Sequence, residues 1–111
     1  MARFTVRVEL VGVPHDGDVY DKLHDLMDAA GFHKEHLFAS KKWRKLPNAE
    51  YVHDGGGLSP EAVGTKAQEV VNQLPEKLRP KGVELLVTKW APEDAFWSYN
   101  LTVVEKPDWA P

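Results

Sequence analysis

The stretch Arg3-Phe4-Thr5-Val6-Arg7-Val8-Glu9-Leu10 decides the fold, because it sets Phe4, Val6, Val8 and Leu10 on one side and Thr5, Arg7 and Glu9 on the other. Strict alternation of this kind predicts a strand with one buried face. One apolar strand face needs a cover, and the chain supplies it twice. After a turn marked by Pro14 and Gly17, residues Val19, Leu23, Leu26, Met27 and Ala30 fall at spacings of 0, +4, +7, +8 and +11, one stripe of an amphipathic helix. Val63, Ala67, Val70, Val71 and Leu74 repeat that spacing in a second helix. Asp16 or Asp18 is placed to cap the first helix, and Gly31-Phe32 to stop it. Ser59 caps the second, with Pro60 in its first turn and Pro75 closing it.

Further strands follow from the same alternation. Leu37-Phe38-Ala39 reads as a short strand, and residues 40–48 as its connection to a strand around Tyr51. Val83, Leu85 and Val87 alternate with Glu84 and Thr88, and Trp97, Tyr99, Leu101 and Val103 with Ser98, Asn100 and Thr102. The resulting order predicts an α+β, ferredoxin-like βαββαβ sandwich: an antiparallel sheet with two helices on one face and an extra C-terminal strand. Residues 1–104 are expected to form this single domain, and residues 105–111, with two prolines, a flexible C-terminal tail.

Composition narrows the class. The 111 residues suit one domain, and 42% apolar with 28% charged residues argues against disorder. Fourteen Lys and Arg against 17 Asp and Glu leave a net charge of −3, which excludes a globally basic nucleic-acid coat. The absence of cysteine excludes a disulfide framework, a cysteine zinc site and thiol catalysis. The charged and apolar residues of the first segment alternate, and no apolar run approaches the ~20 residues that span a bilayer. The expectation is a cytoplasmic protein without membrane contact.

The net charge conceals a dipolar distribution. Residues 33–45 carry a net +4 and residues 16–28 a net −4. Within the first, Lys41-Lys42-Trp43-Arg44-Lys45 interleaves cations with an indole, a pattern suited to single-stranded RNA: cations neutralise phosphates and the ring stacks on a base. The bland reading is a solvated hairpin with Trp43 packed back on the sheet. The open sheet face supplies a second candidate surface, where Arg7 would hold a phosphate and Tyr51 would stack, with His53 beside it. No RNP motif is present, and a one-residue change of register would turn Tyr51 inward.

Catalytic and cofactor signals are sparse. His53 beside basic residues has the chemistry of a general acid or base for RNA cleavage through the 2′-hydroxyl, a reaction that needs no metal. The pair His33 and His36 lacks further ligands at metal spacing, so no metal is expected. Six residues separate Gly57 from Gly64-Thr65-Lys66, where a phosphate loop has four, so no nucleotide cofactor is expected either. Gly55-Gly56-Gly57 reads as a flexible connection.

Four stretches carry a resemblance: Arg3 to Leu10, Tyr20-x-x-Leu23-His24-x-x-Met27-x-x-Ala30-Gly31-Phe32, Leu46-Pro47-Asn48-Ala49-Glu50-Tyr51, and Trp97-x-Tyr99-Asn100-Leu101. In these the chain resembles the GhoS-type antitoxins of type V toxin–antitoxin systems, small bacterial proteins similar in fold to the small CRISPR-associated adaptation nucleases. The resemblance implies a ferredoxin-like fold and endoribonuclease activity; it maps no catalytic residue onto this sequence. The basic loop at 41–45 and the long Pro75 to Gly82 connection depart from that pattern. The contrasting expectation is a non-catalytic interaction module that takes a second copy or another protein along its C-terminal strand, next to Phe96-Trp97-Ser98-Tyr99.

Overall fold

The computed structural model describes residues 3–14, 17–38, 40–55, 57–90 and 101–110. Its elements are β1 (Arg3–Val11), α1 (Asp18–Ala29), β2 (Glu35–Leu37), β3 (Trp43–Lys45), β4 (Glu50–Asp54), α2 (Pro60–Val71), a 3-10 turn (Glu76–Leu78), β5 (Gly82–Lys89) and β6 (Val103–Val104). They form an α+β fold of two helices and two three-stranded antiparallel sheets, ordered β4-β1-β5 and β2-β3-β6. No described helix is long and apolar enough to cross a membrane.

The alternation of β1 is realised residue by residue. Phe4, Val6, Val8 and Leu10 are buried, and they share one core with Tyr20, Leu23 and Met27 of α1 and Val63, Ala67, Val70 and Val71 of α2. Both helices therefore cover the same face of β1. Each large apolar side chain removed from water there contributes ~1.5–3 kcal/mol. Tyr20 joins this core although it lies outside the purely apolar stripe, because its hydroxyl has a partner: it accepts the Leu10 amide at 2.7 Å.

The helix ends follow local chemistry. Gly31 sits at φ 89°, its amide donating to Asp28 O and that of Phe32 to Met27 O, the paired bonds of a Schellman stop. Ser59 Oγ accepts the Ala62 amide, with Pro60 the first residue of α2. The start of α1 differs from expectation: Gly17 is the N-cap residue, without a side-chain cap bond, and Asp18 is already helical. The alternative cap, Asp16, lies outside the described residues.

Three other expectations change. The stretch 43–45 is a strand rather than part of a connection, pairing with β2 on one side and β6 on the other. Its short partner is Glu35–Leu37, shifted from Leu37-Phe38-Ala39, of which Ala39 lies outside the described residues. Of the late strand, Trp97 and Tyr99 also lie outside them, and Val103–Val104 form β6. In the segment after β6, Trp109 meets His33, Trp43 and Glu35.

Register decides which side of the main sheet each β4 residue takes. Tyr51 pairs with Val6 and His53 with Phe4, so both lie on the helix-covered face, while Glu50, Val52 and Asp54 pair with Arg7, Thr5 and Arg3 on the other. This corrects the placement of Tyr51 and His53 beside Arg7: odd-numbered residues of β4 meet even-numbered residues of β1. Gly55 is likewise no flexible link. It is buried over Phe4, and a Cβ there would collide with the Phe4 ring.

Candidate nucleic-acid interface

Strands β2 and β3 form a hairpin closed by residues 38–42, in which the Phe38 amide donates to Lys42 O at 3.1 Å and the Lys41 amide to Phe38 O at 2.9 Å. Lys41 takes the left-handed conformation at φ 68° that this reversal requires. Cross-strand pairs are Glu35 with Lys45, His36 with Arg44 and Leu37 with Trp43. Alternation then puts Glu35, Leu37, Trp43 and Lys45 on one face of the hairpin, and His36 and Arg44 on the other.

This splits the basic cluster. Lys41, Lys42 and Lys45 are exposed, and among the described residues none of them has an ion-pair partner. Arg44 is half-buried and donates Nη1 to Leu101 O at 2.8 Å, tying the hairpin to the segment that leads into β6. Lys45 adds a backbone bond to Thr102 O at 2.9 Å. Three of the four cations thus face solvent, and the fourth serves the fold.

The indole between them has aromatic company. Trp43 meets Trp109 edge-on, with centroids 5.4 Å apart at 89°, and Trp109 stacks on His33 at 3.8 Å and 5°. The Trp109 Nε1–H donates to Glu35 Oε1 at 3.1 Å, and His33 Nδ1 pairs with Asp28 at 2.7 Å. Trp43 therefore packs against the C-terminal segment.

The open face of the main sheet presents a different picture. Arg7 donates to Glu50 at 3.0 Å and to Glu9 at 2.7 Å, so its guanidinium is already matched by carboxylates. Trp90 donates Nε1–H to Thr5 Oγ1 at 2.6 Å and meets His36 edge-on. Arg7 is not brought together with Tyr51 or His53. His53 is 5% exposed, donates from Nδ1 to Gly31 O at 2.9 Å and stacks on Phe32. Burial lowers its pKa, and its position removes it from the general acid–base role.

An open groove of about 580 Å³ lies between α1, β2 and the C-terminal segment, lined by His24 and Lys34 together with Asp25, Asp28, Glu35, Asp108 and Trp109. Lys34 is 7% exposed; its ammonium donates to Pro47 O and to Glu50 O, and it lies over the Tyr51 ring. Burial, aided by nearby Lys45, lowers its pKa to about 7. The Tyr51 hydroxyl is hydrogen-bonded to His24 Nδ1, and burial, with Lys34 and Lys45 nearby, lowers His24 to about 4. Four carboxylates and one lysine line this groove.

Sequence reading missed Trp109, Glu35 and Lys34. The first sat in a proline-bearing tail; the others fall at and just before the start of the three-residue β2, too short to register as periodic. Comparison with protein-family models, with curated proteins and with solved structures returned no match in any of the three.

Proposed function

We propose that this chain is a small ferredoxin-like domain that binds single-stranded RNA through the β2–β3 hairpin. The observation that carries the reading is a set of three exposed lysines, Lys41, Lys42 and Lys45, without an ion-pair partner among the described residues, on the hairpin that carries Trp43. Phosphates are neutralised by such cations and bases stack on such rings. The fold assignment is supported by the order β4-β1-β5 together with an antiparallel bridge between His33 and Val52, which sets the segment before β2 along the outer side of β4. Two helices over one face complete that arrangement. The resemblance to GhoS-type antitoxins supports the same reading and adds endoribonuclease cleavage as the reaction, for which no catalytic residue is assigned.

The test is a salt series on a single-stranded RNA oligonucleotide, read by fluorescence anisotropy. Replacing Lys41, Lys42 and Lys45 together with Ala should flatten the slope of log affinity against log salt by about 2 units, at ~0.7 per phosphate contact. Unchanged affinity and slope in the folded triple variant would overturn the reading. An interaction module is the second reading, favoured by Leu86 at 62% and Val83 at 39% exposure on β5, the edge of its sheet among the described residues. Self-association insensitive to salt, without RNA binding, would put it ahead.

A further inference from the structure

We infer that the Trp109 indole occupies a nucleobase slot on the hairpin, and that the base this slot takes is guanine. The inference rests on the RNA-binding reading and names a subsite within it. Indole is the side chain closest in shape to a purine: two fused rings with an N–H on the edge. Each feature of its setting is one that a stacked base would use. The His33 ring lies parallel beneath it at 3.8 Å, held in orientation by Asp28, and Trp43 closes one side perpendicular to it. Its N–H meets the carboxylate of Glu35.

The carboxylate sets the preference. Glu35 presents acceptors only, and guanine's Watson–Crick edge carries adjacent donors at N1 and N2. Adenine and cytosine each pair a donor with a neighbouring acceptor, which a carboxylate repels; uracil has one donor between two acceptors. Lys45 stands directly opposite Glu35 on the same hairpin face, where it would neutralise the phosphate attached to the bound base. Trp109 itself is 39% exposed, and the segment carrying it lies on the outside of the molecule, so an incoming base competes with it directly. The indole is thereby an internal competitor that keeps the slot filled when no RNA is bound.

The experiment titrates GMP and AMP into wild type and Trp109→Ala by isothermal calorimetry. Trp109→Ala should bind GMP about tenfold more tightly than wild type, the gain expected from opening one stacking position. Adding His33→Ala should remove the gain, and adding Glu35→Gln should remove the preference for GMP over AMP. A folded Trp109→Ala that binds GMP no better than wild type overturns the slot. Should that variant fail to fold, wild type is titrated with GMP while the Trp109 Nε1–H resonance is followed by NMR. Movement of that resonance on its own supports displacement, and its constancy at saturating GMP overturns it. The two levels separate on the RNA oligonucleotide: salt-dependent binding without any guanine effect removes the slot alone, whereas no RNA binding by either protein removes the RNA reading with it.

Discussion

The hydroxyl of Tyr51 lies 2.6 Å from Nδ1 of His24, a hydrogen bond that ties strand β4 to helix α1. Burial lowers His24 to about 4, and burial also lowers His36 and His53. In the unfolded chain these groups take up protons from about pH 6.5 downward; in the folded chain His24 does so only near pH 4. The unfolded state binds more protons in that window, so the stability these neutral imidazoles contribute is fully present above pH 6.5 and is lost as pH falls toward 4. Urea denaturation across this range should show the decline, up to ~1.4 kcal/mol per pH unit for each proton taken up. His24→Gln should make the decline shallower; an equal slope would show that His24 is not the responsible group.

Leu23 of α1 is wholly buried against the β1 face. Leu23→Ala should cost ~2–4 kcal/mol, through lost burial and the cavity left among neighbours that cannot fully collapse. Calorimetric or denaturant unfolding checks it. A loss under about 1 kcal/mol would mean that α1 does not cover the sheet as described.

Gly55 has no room for a side chain because the Phe4 ring lies where its Cβ would be. Gly55→Ala should destabilise by ~1–3 kcal/mol through overpacking. Phe4→Leu removes the obstructing ring, so the double variant should lose less than the two single losses added together. Strict additivity in thermal melts would rule out this contact as the cause.

Arg44 anchors the hairpin to the backbone at Leu101 rather than facing solvent. Arg44→Ala should therefore cost roughly 1.5–3 kcal/mol, the range for a hydrogen bond from a charged donor. Hydrogen exchange at the Lys45 amide, which donates to Thr102 O, should accelerate. The salt dependence of RNA affinity should change far less than in the Lys41, Lys42 and Lys45 triple variant. A slope as flat as that variant's would return Arg44 to the phosphate-contacting set.

Local patterns carried much of this molecule in plain view. The alternation from Phe4 to Leu10, the two matching helix stripes, the Gly31 stop and the Ser59-Pro60 start are each set by neighbours within a few residues, and each is realised as read. The stretch 43–45 was legible as chemistry but not as a strand, because three residues are too few for a period to show and its pairing partners, β2 and β6, are supplied by distant segments.

The sequence by itself determined the two covered faces and the concentration of positive charge at 33–45, since burial periodicity and composition are properties of contiguous residues. Tertiary structure alone decided which of those charges face solvent and which rings meet. Tyr51 turned inward because a strand's sides are assigned by its register on β1, and Arg44 turned inward because it alternates with Trp43 and Lys45. Trp109 came to His33 from 76 residues away. No local rule reports such a meeting, because the contact depends on where two separately folded segments arrive in space.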